Sequence, residues 1–198
     1  FVDRKIYNFW LINFKLRYFT IYNFKKHNSL YLALVSTLLM ISYLSLFLGD
    51  YSKCFSLEVG LNSLGLTFYY NLQIVNDFFE LRTLEQLICY REFLQIWDPL
   101  FAIVYTMMYS SWLIFFFKDK YYFLIIPIFV MISDWIENYI ELIMLENFIN
   151  SDILSPMLVS FGSGINTLRW LLFSITYLLI IIGLIKSIKL YYSKPKLN

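Results

Sequence analysis

The chain is short of charge, histidine, cysteine and glycine, and each shortage removes a class of function. Asp, Glu, Lys and Arg make up 15% of its 198 residues, against roughly a quarter in soluble proteins. Too few ionic groups are present for water alone to solvate a chain of this size. The net charge is +2, and Lys and Arg are dispersed among apolar runs rather than gathered in a patch, which excludes a nucleic-acid surface. The single histidine, His27, rules out His-based metal centres and a Ser-His-Asp relay. The six glycines form no phosphate-cradling loop, and Gly162-Ser163-Gly164 reads as part of a flexible connection. No motif points to a cofactor. Cys54 and Cys89 are the only cysteines, too few for a metal quartet or a disulfide framework. They read as two free thiols, able to pair only if the loop holding both faces an oxidising compartment.

What the chain has in quantity is apolar residues: 60% are hydrophobic and 21% aromatic, with mean hydropathy +0.62. Leu30 to Leu48 and Pro99 to Phe117 are each uncharged, and about 20 helical residues at 1.5 Å each cross a hydrocarbon core of about 30 Å. A third run starts near Tyr121 and keeps helical rhythm through Asp134, Glu137 and Glu141 to about Leu145. Pro127 in its second turn predicts a modest bend. A fourth, Trp170 to Ile185, is uncharged and is extended at its start by Thr167, Leu168 and Arg169. The expected fold is all-α: one integral membrane domain over 1–198, a four-helix bundle with spans about 30–48, 98–117, 121–145 and 168–186. Tyr and Phe, 17 and 20 of them, suit lipid-facing surfaces and interfacial belts rather than a cofactor box.

Lys and Arg near span ends set the orientation, because cytoplasmic loops keep the positive excess. Twelve of the sixteen fall in the N-terminal segment, the Lys118-Asp119-Lys120 turn and the C-terminal tail (Lys186, Lys189, Lys194, Lys196). Lys53, Arg82 and Arg91 lie opposite, with Arg169 at the edge of the fourth span. Both termini are thus expected in the cytoplasm, with the protein in a plasma membrane. Residues 1–28 carry Phe9, Trp10, Phe14, Phe19 and Phe24 among basic residues with no small-residue cleavage site, which suits an interfacial helix and not a cleaved signal. In the external loop 49–97, Leu72 to Phe79 and Leu84 to Trp97 read as short amphipathic helices at the outer membrane surface. Residues 146–167 read as a flexible external loop.

A carboxylate in hydrocarbon costs about 2.5 to 3.5 kcal/mol on insertion scales, so something must offset the acids of the third span. Asp134, Glu137, Asn138 and Glu141 share one helix stripe, running from roughly 20 Å to roughly 30 Å beyond Tyr121. Arg169 and Asp98 are expected at the same depth. Pairing of Arg169 with Glu137 or Glu141 would compensate both charges, whereas Asp98 would add to the repulsion and favour a proton on one acid. Tyr105, Tyr109, Ser110, Ser111 and Ser174 are candidate hydrogen-bond partners, and Glu141 taken alone reads as a snorkelling interface residue.

The sequence Asp98-Pro99-Leu100-Phe101 with Tyr105, followed by Asp134-Trp135-Ile136-Glu137-Asn138 in the next span, resembles a group of uncharacterised bacterial four-span membrane proteins. Those share an Asp and a Phe with a Tyr four later in the second span, and Asp-x-x-Glu-Asn in the third. Arg91 also matches the pattern, while Tyr90 and Leu94 depart from its Gly and aromatic. The resemblance covers roughly residues 65 to 185, implies a four-helix membrane fold and singles out Asp98, Tyr105, Asp134, Glu137 and Asn138. It implies no activity.

Three functional expectations follow. The first is a multi-pass protein whose acidic network, in the outer half of the bundle, organises packing or binds a lipid or ion. The second is an intramembrane acid/base enzyme acting on a lipid, and the third a small proton or cation transporter component. Membrane lipids are the one expected class of partner.

Overall fold

The computed structural model describes residues 28–58, 62–118, 120–151 and 153–193, except the side chain of Tyr191. The interfacial segment expected over 1–28 lies outside the described residues but for Asn28, as do His27, Asp119, Lys194 and Lys196. Among the described residues there is no strand. The long helices are α1 (Asn28–Cys54), α3 (Leu84–Phe117), α4 (Tyr121–Ile149) and α5 (Pro156–Tyr192), with the shorter α2 (Leu72–Glu80) between the first two. All four long helices are apolar and long enough to cross a membrane. The chain is an all-α, multi-pass integral membrane protein.

Burial separates the roles of the helices. In the most apolar stretch of α4, 39% of residues are buried, against 17% in α1 and 11% in α5. Thus α4 is the central helix, while α1 and α5 turn rows of Leu, Ile and Tyr outward, among them Tyr31, Leu38, Leu46, Leu178 and Ile181. A surface so apolar is stable only against acyl chains. The pairing of α4 with α5 is the most extensive helix contact. Gly183 belongs to a second close approach, since a Cβ there would come 2.5 Å from the Phe116 ring.

At the end away from the α3–α4 turn, the loop and the helix ends form a cap. Asn71 accepts from Ile74 N at 2.9 Å to start α2, and Thr83 with Gln86 forms a capping box at the start of α3; each satisfies backbone N–H groups that a helix start leaves open. Phe55, Leu64, Tyr70, Val75, Phe78, Phe79 and Tyr90 are buried here against Ile140, Met144 and Leu145 of α4 and Val159 of α5. Arg82 lies beneath them, its guanidinium 3.6 Å above the Phe78 ring and bonded to the carbonyls of Phe55 and Phe78 at 3.0 and 2.6 Å. Desolvation lowers its pKa.

Several expectations need correction. Leu84 to Trp97 is no separate surface helix: α3 runs unbroken through Asp98-Pro99, because Phe93–Trp97 widens into a π-turn in which Asp98 N–H reaches Phe93 O. That register absorbs the donor proline lacks. Nearby carbonyls gain side-chain donors instead, Tyr43 Oη to Trp97 O at 2.9 Å and Trp135 Nε1 to Pro99 O at 3.2 Å. α1 has a matching π-turn at Leu44–Leu48 and zips onto α3 through Tyr43 on Phe101 and through Phe47 and Tyr51 on Trp97. Pro127 sits near the start of α4, just past the 3-10 turn Tyr121–Leu124, and α4 continues through it.

The flexible loop expected over 146–167 shrinks to the link between Ile149 and Pro156. Gly162-Ser163-Gly164 is helical: a Cβ on Gly162 would lie 2.7 Å from Tyr70 Oη and 2.8 Å from Ile140 Cγ2. The glycine serves close packing, not a turn. The free-thiol reading also fails, since Cys54 and Cys89 form a disulfide, with Cα atoms 6.3 Å apart, that ties the end of α1 to α3.

Candidate functional site

The carboxylates lie where the cap meets the bundle. Asp134, Glu137 and Glu141 stand one helical turn apart on the inner face of α4 and are 2%, 0% and 1% exposed. Arg169, 7% exposed, comes from the facing turn of α5. Its Nη1 pairs with Asp134 Oδ1 and lies 2.7 Å from Glu137 Oε2. Its Nη2 donates to Gly65 O at 2.5 Å and to Asn166 Oδ1 at 2.9 Å. One guanidinium thus serves two acids and a backbone carbonyl, the arrangement its planar fork of donors suits.

A strap of chain, Ser63 to Tyr70, closes the cluster from the cap side. It holds no regular element beyond the 3-10 turn Leu64–Leu66, so α5 satisfies its polar backbone. Asn166 Nδ2 donates to Thr67 O (2.7 Å), Thr167 Oγ1 to Phe68 O (3.0 Å) and Trp170 Nε1 to Gly65 O (3.2 Å), while Tyr70 N donates to Ser163 Oγ (3.0 Å). These residues recur at helical spacing on one face of α5, which therefore acts as a rail for the strap. A Cβ on Gly65 would lie 3.1 Å from Arg169 Nη2 and 3.5 Å from Glu137 Oε1, so the strap approaches the ions this closely because that position has no side chain. Tyr70 itself has its phenol pushed far above the usual value, first by burial and then by the charges of Glu141 and Glu137.

The remaining candidates divide. Glu141 does not snorkel: it accepts a short hydrogen bond from Tyr90 Oη of α3, because the cap covers the point where an interface was expected. Arg169 pairs with Asp134 and Glu137 and not with Glu141. Asp98 accepts from Asn138 Nδ2 at 2.9 Å. Tyr109 donates to Tyr177 Oη at 2.6 Å. Ser111 and Ser174 donate to carbonyls of their own helices, Met107 O and Trp170 O. Arg91 stands apart, 3.2 Å from Glu146.

Tyr90, Gly65, Asn166 and Trp170 were missed from the sequence. Asn166, three residues before Arg169, shares its helix face and could have been read from spacing. Gly65 and Tyr90 carry no local signal, because the tertiary path of the cap alone brings them in.

Beside the cluster, between α1, α3, α5 and the strap, is a cavity of about 490 Å³. Its walls are mainly apolar and aromatic, including Met40, Leu44 and Leu48 of α1, Phe101 of α3 and Trp170 and Phe173 of α5, with Asp98, Tyr105, Asp134 and Arg169 as one polar group and Ser52, Ser56, Asn62 and Ser63 as another. Asp134 Oδ2, Tyr105 Oη and Arg169 Nε are buried and make no hydrogen bond of normal geometry among the described residues, although Tyr105 and Asp134 lie close enough to interact with each other. Such atoms cost about 1–3 kcal/mol each, more where charged, and each calls for an account such as a bound water or ligand. Among the described residues, no three His, Cys, Asp or Glu side chains gather as metal ligands; Arg169 occupies the point between Asp134 and Glu137 where a metal would sit. No protein family, curated protein or solved structure matches this chain.

Proposed function

We propose that this protein binds an amphipathic lipid in the cavity beside Asp134, with the acyl or other apolar part against α1 and Phe173 and the polar head at Asp98, Tyr105 and Asp134. The observation that carries the reading is the pair Asp134 Oδ2 and Tyr105 Oη, buried without a hydrogen bond of normal geometry, on residues that line a mainly apolar cavity. Its volume falls within the roughly 300–1,000 Å³ of small-molecule sites, and Leu44, which lines it from α1, is itself 47% exposed.

The reading takes residues 1–198 as one membrane domain with the cap outside and both termini in the cytoplasm of a bacterium. The Cys54–Cys89 disulfide supports that orientation, since disulfides persist in oxidising compartments, and it agrees with the positive charge at the opposite end. Asp134 then lies roughly 20 Å from the cytoplasmic end of its helix, in the outer half of the bilayer. Among the described residues no buried Asp, Glu, Lys or Arg lies between Asp134 and the α3–α4 turn, which weighs against a proton or cation path across the membrane.

The test is native mass spectrometry of the protein released from mild detergent, with Leu44→Trp and Leu48→Trp filling the cavity from α1. The expected result is one retained lipid on the wild type and its loss from folded Trp variants. A wild type that carries no lipid, or Trp variants that carry it unchanged, would overturn the proposal. A second reading, intramembrane acid/base chemistry on the same lipid, draws on the carboxylate and phenol facing the cavity together. It predicts that the molecule retained by Asp134→Asn differs in bonding from the one retained by the wild type.

A further inference from the structure

The charge of the site identifies the class of head group, an inference that rests on the lipid-binding reading above. Within one cluster stand four acids, Asp98, Asp134, Glu137 and Glu141, and a single cation, Arg169. Arg169 also lines the cavity, but it is already committed through Nη1 to Asp134 and Glu137 and through Nη2 to Gly65 and Asn166, which leaves only Nε without a partner among the described residues. The two acids that line the cavity are Asp98 and Asp134, and Asp134 leaves one oxygen unpartnered there. An anionic phosphate or carboxylate entering would face two acid side chains and a guanidinium whose charge Asp134 and Glu137 already share, a setting that favours a cation over an anion.

The other wall is aromatic. Tyr105 and Phe173 stand 5.0 Å apart between ring centres, Tyr109 and Phe173 5.7 Å, and Trp170 and Phe173 6.0 Å, and all four residues line the cavity. Aromatic faces beside a carboxylate are the surroundings that recognise an alkylated ammonium, which is attracted to the rings and needs no hydrogen-bond acceptors of its own.

We infer that the cavity selects an amphiphile with a positively charged amine or quaternary ammonium head, seated between Asp134, Asp98 and the rings of Tyr105, Tyr109 and Phe173.

The experiment is a native mass-spectrometric competition on the full chain among dodecyltrimethylammonium, dodecanol and dodecanoate, equal in chain length and different in head charge. The ammonium compound is expected to occupy the protein about tenfold or more over the other two, the scale of one partly desolvated charge pair. Asp134→Asn should remove most of that preference, whereas Asp77→Asn, which neutralises an exposed acid of α2 outside the cavity, should preserve it. Asp98→Asn serves the same purpose if Asp134→Asn fails to fold. Equal binding of the three, a preference for the alcohol or the carboxylate, or an ammonium preference unmoved by the Asp variants would overturn the charge inference and leave the cavity reading standing. No one-to-one adduct with any of them would overturn both.

Discussion

In the cap, Phe55, Tyr70, Val75, Phe79 and Tyr90 are 0 or 1% exposed, packed against one another and against the ends of α4 and α5. In the lipid-facing half, the buried apolar cluster is Ala102, Tyr105, Met108, Tyr109 and Val130, with Met40 and Phe173 partly buried against it. The same side-chain types are used in both halves with opposite results. Water drives the cap to bury its aromatics, whereas in lipid an outward Leu costs nothing, so helices meet through small residues and close contacts such as Gly183 on Phe116. The acidic belt lies at the seam, where the cap excludes water and the bundle supplies the helix stripe. It is the one place that depends on both.

The sharpest way to break this division is at the seam. Arg169→Met would leave Asp134 and Glu137 buried without their cation, and it should cost about 3–5 kcal/mol or abolish folding, read by thermal unfolding in detergent. A milder loss, under about 1 kcal/mol, would mean that the cluster is open to water. Next, Phe79→Ala in the cap should cost about 3–5 kcal/mol, while Ile132→Ala, on the outward face of α4 at 40% exposure, should cost under about 0.5 kcal/mol. Similar losses at both would erase the distinction between the two cores.

Removing the disulfide with Cys54→Ser and Cys89→Ser, which spans 35 residues, should cost about 2–4 kcal/mol. Amide exchange should rise in the cap and strap while α4 below Asp134 stays protected. The smallest effect belongs to Tyr70→Phe. Its hydroxyl is buried without a partner among the described residues, so the variant should be within about 0.5 kcal/mol of wild type at pH 7, or more stable. Because the folded-state phenol is raised, the neutral form is favoured by folding. Its contribution is full below the ordinary phenol range and is lost as pH rises through the folded value, so wild type should weaken more than Tyr70→Phe above about pH 10.

Much of the bundle was legible from residues alone, since uncharged runs of this length have few fates besides crossing a membrane, and a stripe at steps of three and four must share a face. Arg169 as the partner followed from charge balance at one depth. The connections were less legible. Gly162 looks like part of a turn because glycine signals both loops and close helix packing, and only the position of Tyr70 decides between them, while Gly164 is helical with open space where a Cβ would stand. Asp98-Pro99 looks like a helix start because proline lacks a donor, and the π-turn that accommodates it leaves no mark in composition. Cys54 and Cys89 read as free thiols because pairing depends on where the two come to rest, which their spacing does not reveal. The strap was invisible: its hold on α5 is backbone to side chain, and its own residues have no periodicity.

The measurement closest to the central claim is a density map of the protein in lipid nanodiscs, at a resolution that shows side chains around Asp134. The account predicts an elongated molecule in the cavity between α1 and Phe173, its head within hydrogen-bond distance of Asp134 Oδ2 and Arg169 still seated between Asp134 and Glu137. A cavity closed by α1, with Asp134 Oδ2 satisfied by another side chain, would contradict it.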